Sequence, residues 1–441
     1  MSGGPPSPPP VVLKFGGASL AHPDRVVEAV REARSGNVPV VVVVSAREGV
    51  TDLLLDAVDH PGDSRRHRTI GRELSRRHPD LPEEGRRHLE RLRRLLAEVE
   101  RDGPPDPPLV DRLLSQGERL AAHWVAGALR AAGEPAVAVE ADHLGLITDN
   151  AYGASCIVLD RSRGPVRRGL GRLLRQGRVP VVTGFFGRSL EGRVATLGRG
   201  GSDYTAAAIA ALLGARRLEL VKRDVAVFSA DPRDVPDARP IPELSYEEAE
   251  ELAQFGARVL HPLTIEPARA HGVRITVRSL DEPAVATTIG PTRRGRRNRA
   301  ITVLRPLRLL RLRVPGGRQR PGIVSSVTDR LRAAGVNVVQ LFTSSALLCI
   351  VLEPRSVPAA LRALRPILAE DAAALDGPSR VALVTVIGDG VLDDLHRLPA
   401  EAVVGAEGFS ATPRAFSIAV PEPRSQRAVR ALHATLVGGE R

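Results

Sequence analysis

Short apolar runs alternate with longer amphipathic stretches over the first two thirds of the chain. Val11-Val12-Leu13 and the run from Val38 to Val44 are apolar at successive positions, as strands buried on both faces are. A helix is predicted between them, from Pro23 to Ser35. Residues 64–102 mix Arg and Glu with spaced leucines (Leu89, Leu92, Leu95, Leu96), which predicts a helical segment with both charge signs on its exposed face. The run Asp102-Gly-Pro-Pro-Asp-Pro-Pro breaks it. A helix from Val110 to Ala132 follows, then strands near Ala136–Val139 and Arg178–Val182. Gly198 to Asp203 reads as a Gly-rich loop, and Tyr204 to Leu213 as an Ala-rich helix closed by Gly214. Leu218 to Phe228 is a strand and turn, and Ile275 to Arg278 a last strand. This alternation predicts an α/β sandwich with a largely parallel sheet.

The pattern then changes. Leu307–Val314, Asn337–Phe342 and Leu347–Leu352 read as strands, with a helix over Ile323–Ala334. Val381–Ile387, Phe416–Val420 and a helix over Ser425–Leu436 look like a second, shorter copy. The expected layout is a disordered tail at 1–10, an α/β domain at 11–285, a basic linker at 286–304, and small α+β modules at 305–375 and 376–441.

A length of 441 residues and a hydrophobic content of 43% suit several packed domains. No run approaches the ~20 apolar residues of a membrane span. The Gly/Pro/Ser-rich start has no apolar core, so it is not a secretory signal. Cys156 and Cys349 fit no metal or redox spacing, and the sequence offers no metal-ligand set; both read as reduced thiols of a cytoplasmic protein. The net charge of +12 raises the question of an acidic partner, and residues 293–320 hold eleven arginines and no acid. With only 3% aromatic residues there are few platforms for base stacking, so a solvated linker is preferred over a nucleic-acid contact.

Composition matters most through lysine. Lys14 and Lys222 are the only two, against sixty-one arginines. An ammonium that survives such replacement is a candidate for chemistry that a planar guanidinium cannot do. Lys14 opens Lys14-Phe15-Gly16-Gly17-Ala18-Ser19 after a strand, the setting of a phosphate cradle. Ser45-Ala46-Arg47-Glu48-Gly49-Val50-Thr51-Asp52 ends a buried strand, where open α/β sheets bind ligands; taken alone it also reads as an ordinary helix cap. Gly117-Glu118 gains weight only from the rest of the set. In Thr196-Leu-Gly-Arg199-Gly200-Gly201-Ser202-Asp203, an Arg flanked by glycines can grip a carboxylate, and Asp203 can orient Lys14 or a metal.

In this order the motifs resemble the amino-acid kinase superfamily and, within it, the aspartokinases, over roughly residues 11–438. Ser229-Ala-Asp231-Pro-Arg233 and Phe255-Gly-Ala-Arg-Val-Leu-His-Pro262 belong to the same resemblance. It implies a three-layer kinase sandwich followed by two ACT domains (βαββαβ-like). The reaction it implies is transfer of the γ-phosphoryl group of Mg-ATP to the side-chain carboxylate of aspartate. By the resemblance, Lys14 and Asp203 would be catalytic, while Ser45, Ala46, Thr51, Glu118, Arg199 and Ser202 would bind the amino acid. Gly16, Gly17, Gly200, Gly201, Lys222, Arg223, Phe228, Arg233 and Arg258 would surround the nucleotide. ATP and Mg²⁺ are the implied cofactors. The implied partners are a small amino acid and further copies of the chain, joined through the ACT domains, with no membrane.

Departures cluster on the nucleotide side. Where the family reads Trp-Thr-Asp-Val-Asp-Gly-Val-Tyr-Thr, this chain reads Val221-Lys222-Arg223-Asp224-Val225-Ala226-Val227-Phe228-Ser229, and Arg258 replaces a lysine. Arg47 and Glu48 replace small residues. Gln340 and Ala346 stand where lysine-sensitive members carry acids. Three readings stay open: an aspartate kinase, a paralogue acting on a related amino acid in specialised metabolism, and a pseudokinase acting as a regulatory partner.

Overall fold

The computed structural model describes residues 8–101, 104–223, 227–256, 260–291, 299–313, 322–344, 347–370 and 373–438. Of the tail expected at 1–10, residues 1–7 lie outside the described residues, and at Pro10 the chain is already tied down by the Arg216 N–H. The chain divides into two compact units. One comprises 1–227, 242–250 and 259–293, and the other 228–241, 251–258 and 294–441.

The first unit holds strands β1 (Val11–Phe15), β2 (Val40–Val44), β3 (Ala136–Val139), β4 (Ile147–Thr148), β5 (Val179–Thr183), β6 (Phe186–Ser189), β7 (Val194–Thr196), β8 (Arg217–Lys222), β9 (Glu243–Ser245), β10 (Arg274–Ser279) and β11 (Ala286–Gly290). Eight form the main sheet in the order β3-β5-β2-β1-β8-β10-β11-β9, while β4, β6 and β7 make a small satellite sheet. All main-sheet pairings are parallel except β10 with β11. β11 falls within the stretch expected to be linker. Its alternation of half-buried and buried positions marks a strand lying on the sheet. The central strands β1 and β2 are buried at every position, as their continuous apolar runs require. The chain runs from β1 to β2 on one side and reaches β8 on the other. β1 is therefore a topological switch point, where open α/β sheets place ligands at the carboxyl ends of their strands.

The α-helices before β8 are α1 (Pro23–Ala33), α2 (Val50–Asp59), α3 (Ser64–Arg77), α4 (Glu83–Arg101), α5 (Pro107–Leu114), α6 (Gln116–Ala131), α7 (Ala141–Leu144), α8 (Leu159–Arg175) and α9 (Gly201–Leu213). The segment expected as one helix over 64–102 is two, divided at 78–82. Pro82 disfavours helix in the residue before it, and His78 closes α3 with its ring on the Leu74 carbonyl. The expected 110–132 helix is likewise two, meeting at Ser115, whose hydroxyl turns back on the Arg112 carbonyl. No helix among the described residues is long and apolar enough to cross a membrane.

In the second unit, β12 (Ala300–Arg313), β13 (Gln340–Thr343), β14 (Leu347–Leu352), β15 (Ala374–Ile387), β16 (Gly408–Thr412) and β17 (Ala415–Pro421) form one antiparallel sheet, β13-β14-β12-β15-β17-β16. The two small modules thus share a single sheet through the long strands β12 and β15. Helices Ile323–Ala333 and Val357–Glu370 serve one half, and Ser425–Leu436 the other. The short stretch after Ile387 folds as a 3₁₀ turn, Val391–Arg397, and one helical turn, Ala400–Val403. Much of the basic segment has structural partners: Arg299 pairs with Asp394 at 2.7 Å, Arg305 with Asp234 at 2.7 Å and Arg311 with Glu407 at 2.6 Å. Residues 292–298 and 314–321 of that segment, and Ala346, lie outside the described residues; the Gln340 amide donates to Ser410.

Candidate active site

A cleft of about 430 Å³ opens where the carboxyl ends of β1, β2 and β5 meet the start of α9. It is lined by Lys14, Ser45, Ala46, Thr51, Glu118, Arg199, Gly200, Gly201, Ser202 and Asp203, among others. Its walls approach closely because key positions lack side chains. A Cβ on Gly117 would lie 2.8 Å from the Ala46 Cβ, and one on Gly184 2.7 Å from the Ser202 Cβ. Gly17 would meet the Ala46 carbonyl at 2.6 Å, so this glycine serves the packing of the first loop against the second. Gly200 sits at φ +70° as the N-cap of α9, where a side chain would also strike His261.

The helix starts three residues earlier than expected, which places Ser202 and Asp203 in its first turn, with the favourable end of the helix dipole beneath the carboxylate. Asp203 takes two ammoniums, Lys14 at 2.7 Å on one oxygen and Lys222 at 3.1 Å on the other. Burial pushes the Asp203 carboxyl up, but the two lysines outweigh it and hold the pKa at about 2. Both lysines of the chain therefore converge on one carboxylate.

Glu118 faces the same cleft from α6. One of its oxygens accepts the Ala46 N–H at 2.9 Å, and the other is buried with no hydrogen-bond partner among the described residues. Burial raises its pKa to about 8, against the opposing pull of the Ala46 N–H and Lys14. Arg199 lies exposed at the rim and makes no ion pair with a described residue. Thr51 lies inside α2, whose N-cap is Gly49, so its hydroxyl is not used in capping. Arg47 turns away: it stacks 4.3 Å over the Trp124 ring and bonds the Arg77 carbonyl. The larger side chain there leaves the cleft open.

Other predicted residues are placed elsewhere. Gly16, just after β1, is the exception and stays beside the cleft, where a Cβ on it would lie 3.8 Å from the Lys14 Nζ. Arg223 is exposed, and its carbonyl accepts from Ser279. Phe228 and Arg233 belong to the second unit, where Phe228 bridges Pro240 and the Arg233 guanidinium is taken by Asp231 at 2.6 Å. Arg258 lies outside the described residues. One positioning residue has no sequence signal: Asp111 accepts hydrogen bonds from the Thr196 N–H and hydroxyl and from the Gly153 N–H, which pins the start of the Gly198–Gly201 loop.

The profile of the amino acid kinase family matches residues 9–279. The chain is 31% identical to an aspartokinase of Thermus thermophilus over 345 residues, 75% of this chain and 84% of that one. The chain belongs to the amino acid kinase family and, within it, to the aspartokinases. Another aspartokinase, from Corynebacterium efficiens, is 36% identical over 275 residues, 61% of this chain and 54% of its own length. Escherichia coli aspartokinase III, solved in complex with aspartate and ADP, superposes with a TM-score of 0.80 at 26% identity, covering 97% of this chain and 99% of that one. The parallel kinase sheet followed by a pair of small α+β modules is thus the aspartokinase architecture, as the sequence predicted.

Proposed function

We propose that this aspartokinase transfers the γ-phosphoryl group of ATP to the side-chain carboxylate of L-aspartate, giving 4-phospho-L-aspartate and ADP. The observation that carries the reading is the pair of lysines on Asp203 inside a cleft that also presents Glu118 and Arg199. In the step, a carboxylate oxygen of aspartate bonds to the γ-phosphorus as the bond to the ADP oxygen breaks; no proton need move. The protein's task is positioning and neutralisation of charge. Lys14 is the ammonium for the phosphoryl group in flight, and Asp203 fixes its position. Arg199 has a free fork for the α-carboxylate, the unpartnered oxygen of Glu118 suits the α-ammonium, and Ser45, Thr51 and Ser202 offer hydroxyls. Lys222, next to Lys14, takes the nucleotide side, where relatives carry threonine.

Mg²⁺ accompanying ATP would neutralise phosphate charge. Among the described residues, the carboxylates lining the cleft are Glu118 and Asp203. The first is held by a backbone N–H and the second by two ammoniums, so neither suits Mg²⁺ and no residue is assigned to it. Assembly into a homo-oligomer through the second unit, in the cytoplasm, completes the proposal.

An ADP-release assay across acidic amino acids, with hydroxylamine trapping of the acyl phosphate, tests it. Aspartyl hydroxamate formed in step with ADP is the expected result. Preference for another amino acid would establish the paralogue, and nucleotide binding without turnover of any acceptor would establish a pseudokinase.

A further inference from the structure

Adjacent residues of α6 point to different places. Glu118 enters the cleft, whereas Arg119, 1% exposed, turns into a second polar cluster between α4, α6 and the end of β3. There Arg119 pairs with Glu140 and, at 2.7 Å, with Asp142. Two carboxylates share this guanidinium in a largely buried spot. Two histidines face it, and Arg91 and Arg130 also lie near enough to act on them. His88 on α4 is 9% exposed and places Nε2 3.3 Å from a Glu140 oxygen. His123 on α6 packs against His88 with ring centroids 4.9 Å apart. Gly85 makes room for it, since a Cβ there would lie 3.0 Å from the His123 Cβ.

The polar atoms of this cluster are incompletely used. One Asp142 oxygen is buried with no hydrogen-bond partner among the described residues, and the Gln116 side chain stands beside His88. A donor atom from each of His88, His123 and Glu140 can be chosen such that all three lie within 4.8 Å of one another. Around Zn²⁺, with bonds of about 2.0–2.1 Å, tetrahedral donors stand about 3.4 Å apart. The His88–Glu140 pair already has that spacing, and His123, only half-buried, can close the remainder by a small ring movement.

We propose that His88, His123 and Glu140 form a binding site for a divalent transition metal of the Zn²⁺ class, separate from the kinase cleft. Two imidazoles and a carboxylate are the donor set such ions favour over Mg²⁺ or Ca²⁺. Arg119 and Asp142 are the outer groups: Arg119 holds the carboxylate of Glu140 in place, as the partners of metal ligands commonly do. The ligands come from α4, α6 and the residue after β3, so the ion would staple the helical layer to the sheet edge. This proposal does not depend on the acceptor of the kinase reaction.

The test uses the full chain, freed of metal by chelator and dialysis. Titration with Co²⁺ is expected to give visible d–d absorption saturating at one equivalent, bleached by one equivalent of Zn²⁺. The Zn²⁺-bound chain is expected to melt at a higher temperature than the metal-free one. His88→Gln and His123→Gln, which keep polar bulk, are each expected to weaken Zn²⁺ binding at least tenfold. Glu140→Gln should do the same while leaving both rings in place. Far-UV circular dichroism establishes that each variant is folded. Absence of stoichiometric Co²⁺ absorption by the wild type would overturn the proposal. So would equal Zn²⁺ affinity in a folded His88→Gln, His123→Gln double variant, which would place the ion at other histidines.

Discussion

Glu118 should make aspartate binding depend on pH. Burial raises its pKa to about 8, so in the free cleft it is mostly protonated at pH 7. An ammonium placed against its unpartnered oxygen requires the carboxylate. Binding must then release a proton, close to one per site at pH 7. If only the ionised form binds, the dissociation constant worsens about tenfold for each pH unit below 8. At pH 6 that is ~100-fold, or about 2.7 kcal/mol at 1.36 kcal/mol per unit. Calorimetry of aspartate binding from pH 6 to pH 9, in buffers of different protonation enthalpy, reads both the affinity and the released proton. Glu118→Gln imitates the protonated form and is expected to bind weakly with no pH dependence. The linkage also has a sign for stability. Between the unfolded carboxyl pKa near ~4.3 and the folded value, the native state holds a proton that the unfolded chain has lost, so this group's contribution falls as pH rises through that window. A dissociation constant flat from pH 6 to pH 8, with heats independent of buffer, would refute the reasoning and remove Glu118 from the ammonium site.

Three further outcomes are expected. Lys14→Arg keeps the charge but misplaces it beside Asp203; turnover should fall ~10²-fold or more with near-normal aspartate affinity, and a fully active variant would remove Lys14 from the phosphoryl site. Arg199→Ala should raise the KM for aspartate far more than that for ATP, and a shift in the ATP value alone would move Arg199 to the nucleotide. Lys222→Ala should weaken a non-hydrolysable ATP analogue by ~1–3 kcal/mol in calorimetry and leave aspartate nearly unaffected; equal analogue binding would make this lysine dispensable for the nucleotide.

The sequence was most informative where chemistry and backbone geometry coincide. Lys14 and the Gly198–Asp203 run stand out locally because a lysine among arginines, or an Arg between glycines, has few other reasons to be there, whereas Gly117-Glu118 gains weight only from its place in the set. The structure adds the reason for Gly117, which is room for Ala46. Pairings set by tertiary approach left no local trace. Asp111 reaches Thr196 across 85 residues, and His88 meets Glu140 across 52. Arg47 is visible in the sequence only as a large residue where the family has a small one; its partner, Trp124, is set by the fold. The helix breaks at Ser115 and before Pro82 were missed because leucine spacing carries on past a local break. The common sheet of the C-terminal modules was missed because β12 and β15 run through prolines, Pro306 and Pro378, that argue locally for an end.

The charge arrangement explains why a second lysine is useful beside Asp203. A single lysine on a buried aspartate would form a closed pair, its charge cancelled by its partner. Two ammoniums on one carboxylate bring two positive charges to one negative charge at Asp203, and an ammonium has three N–H donors to distribute. Asp203 lowers the cost of burying both, and the first turn of α9 stabilises Asp203 in return. With Arg199 positive and Glu118 protonated, the empty cleft is strongly cationic. That suits two carboxylates of an amino acid and the phosphates of a nucleotide. Once aspartate has brought its own ammonium, Glu118 can ionise to meet it. Under the proposed function, Lys222 brings positive charge to the nucleotide side, at a position where the family's run carries threonine. The consequence is measurable: Asp203→Asn should leave two ammoniums repelling each other in the cleft, and turnover should fall at least as far as in Lys14→Arg. If Asp203→Asn retained wild-type turnover, the shared carboxylate would not be what holds the two lysines in place, and the account of this cleft would fail.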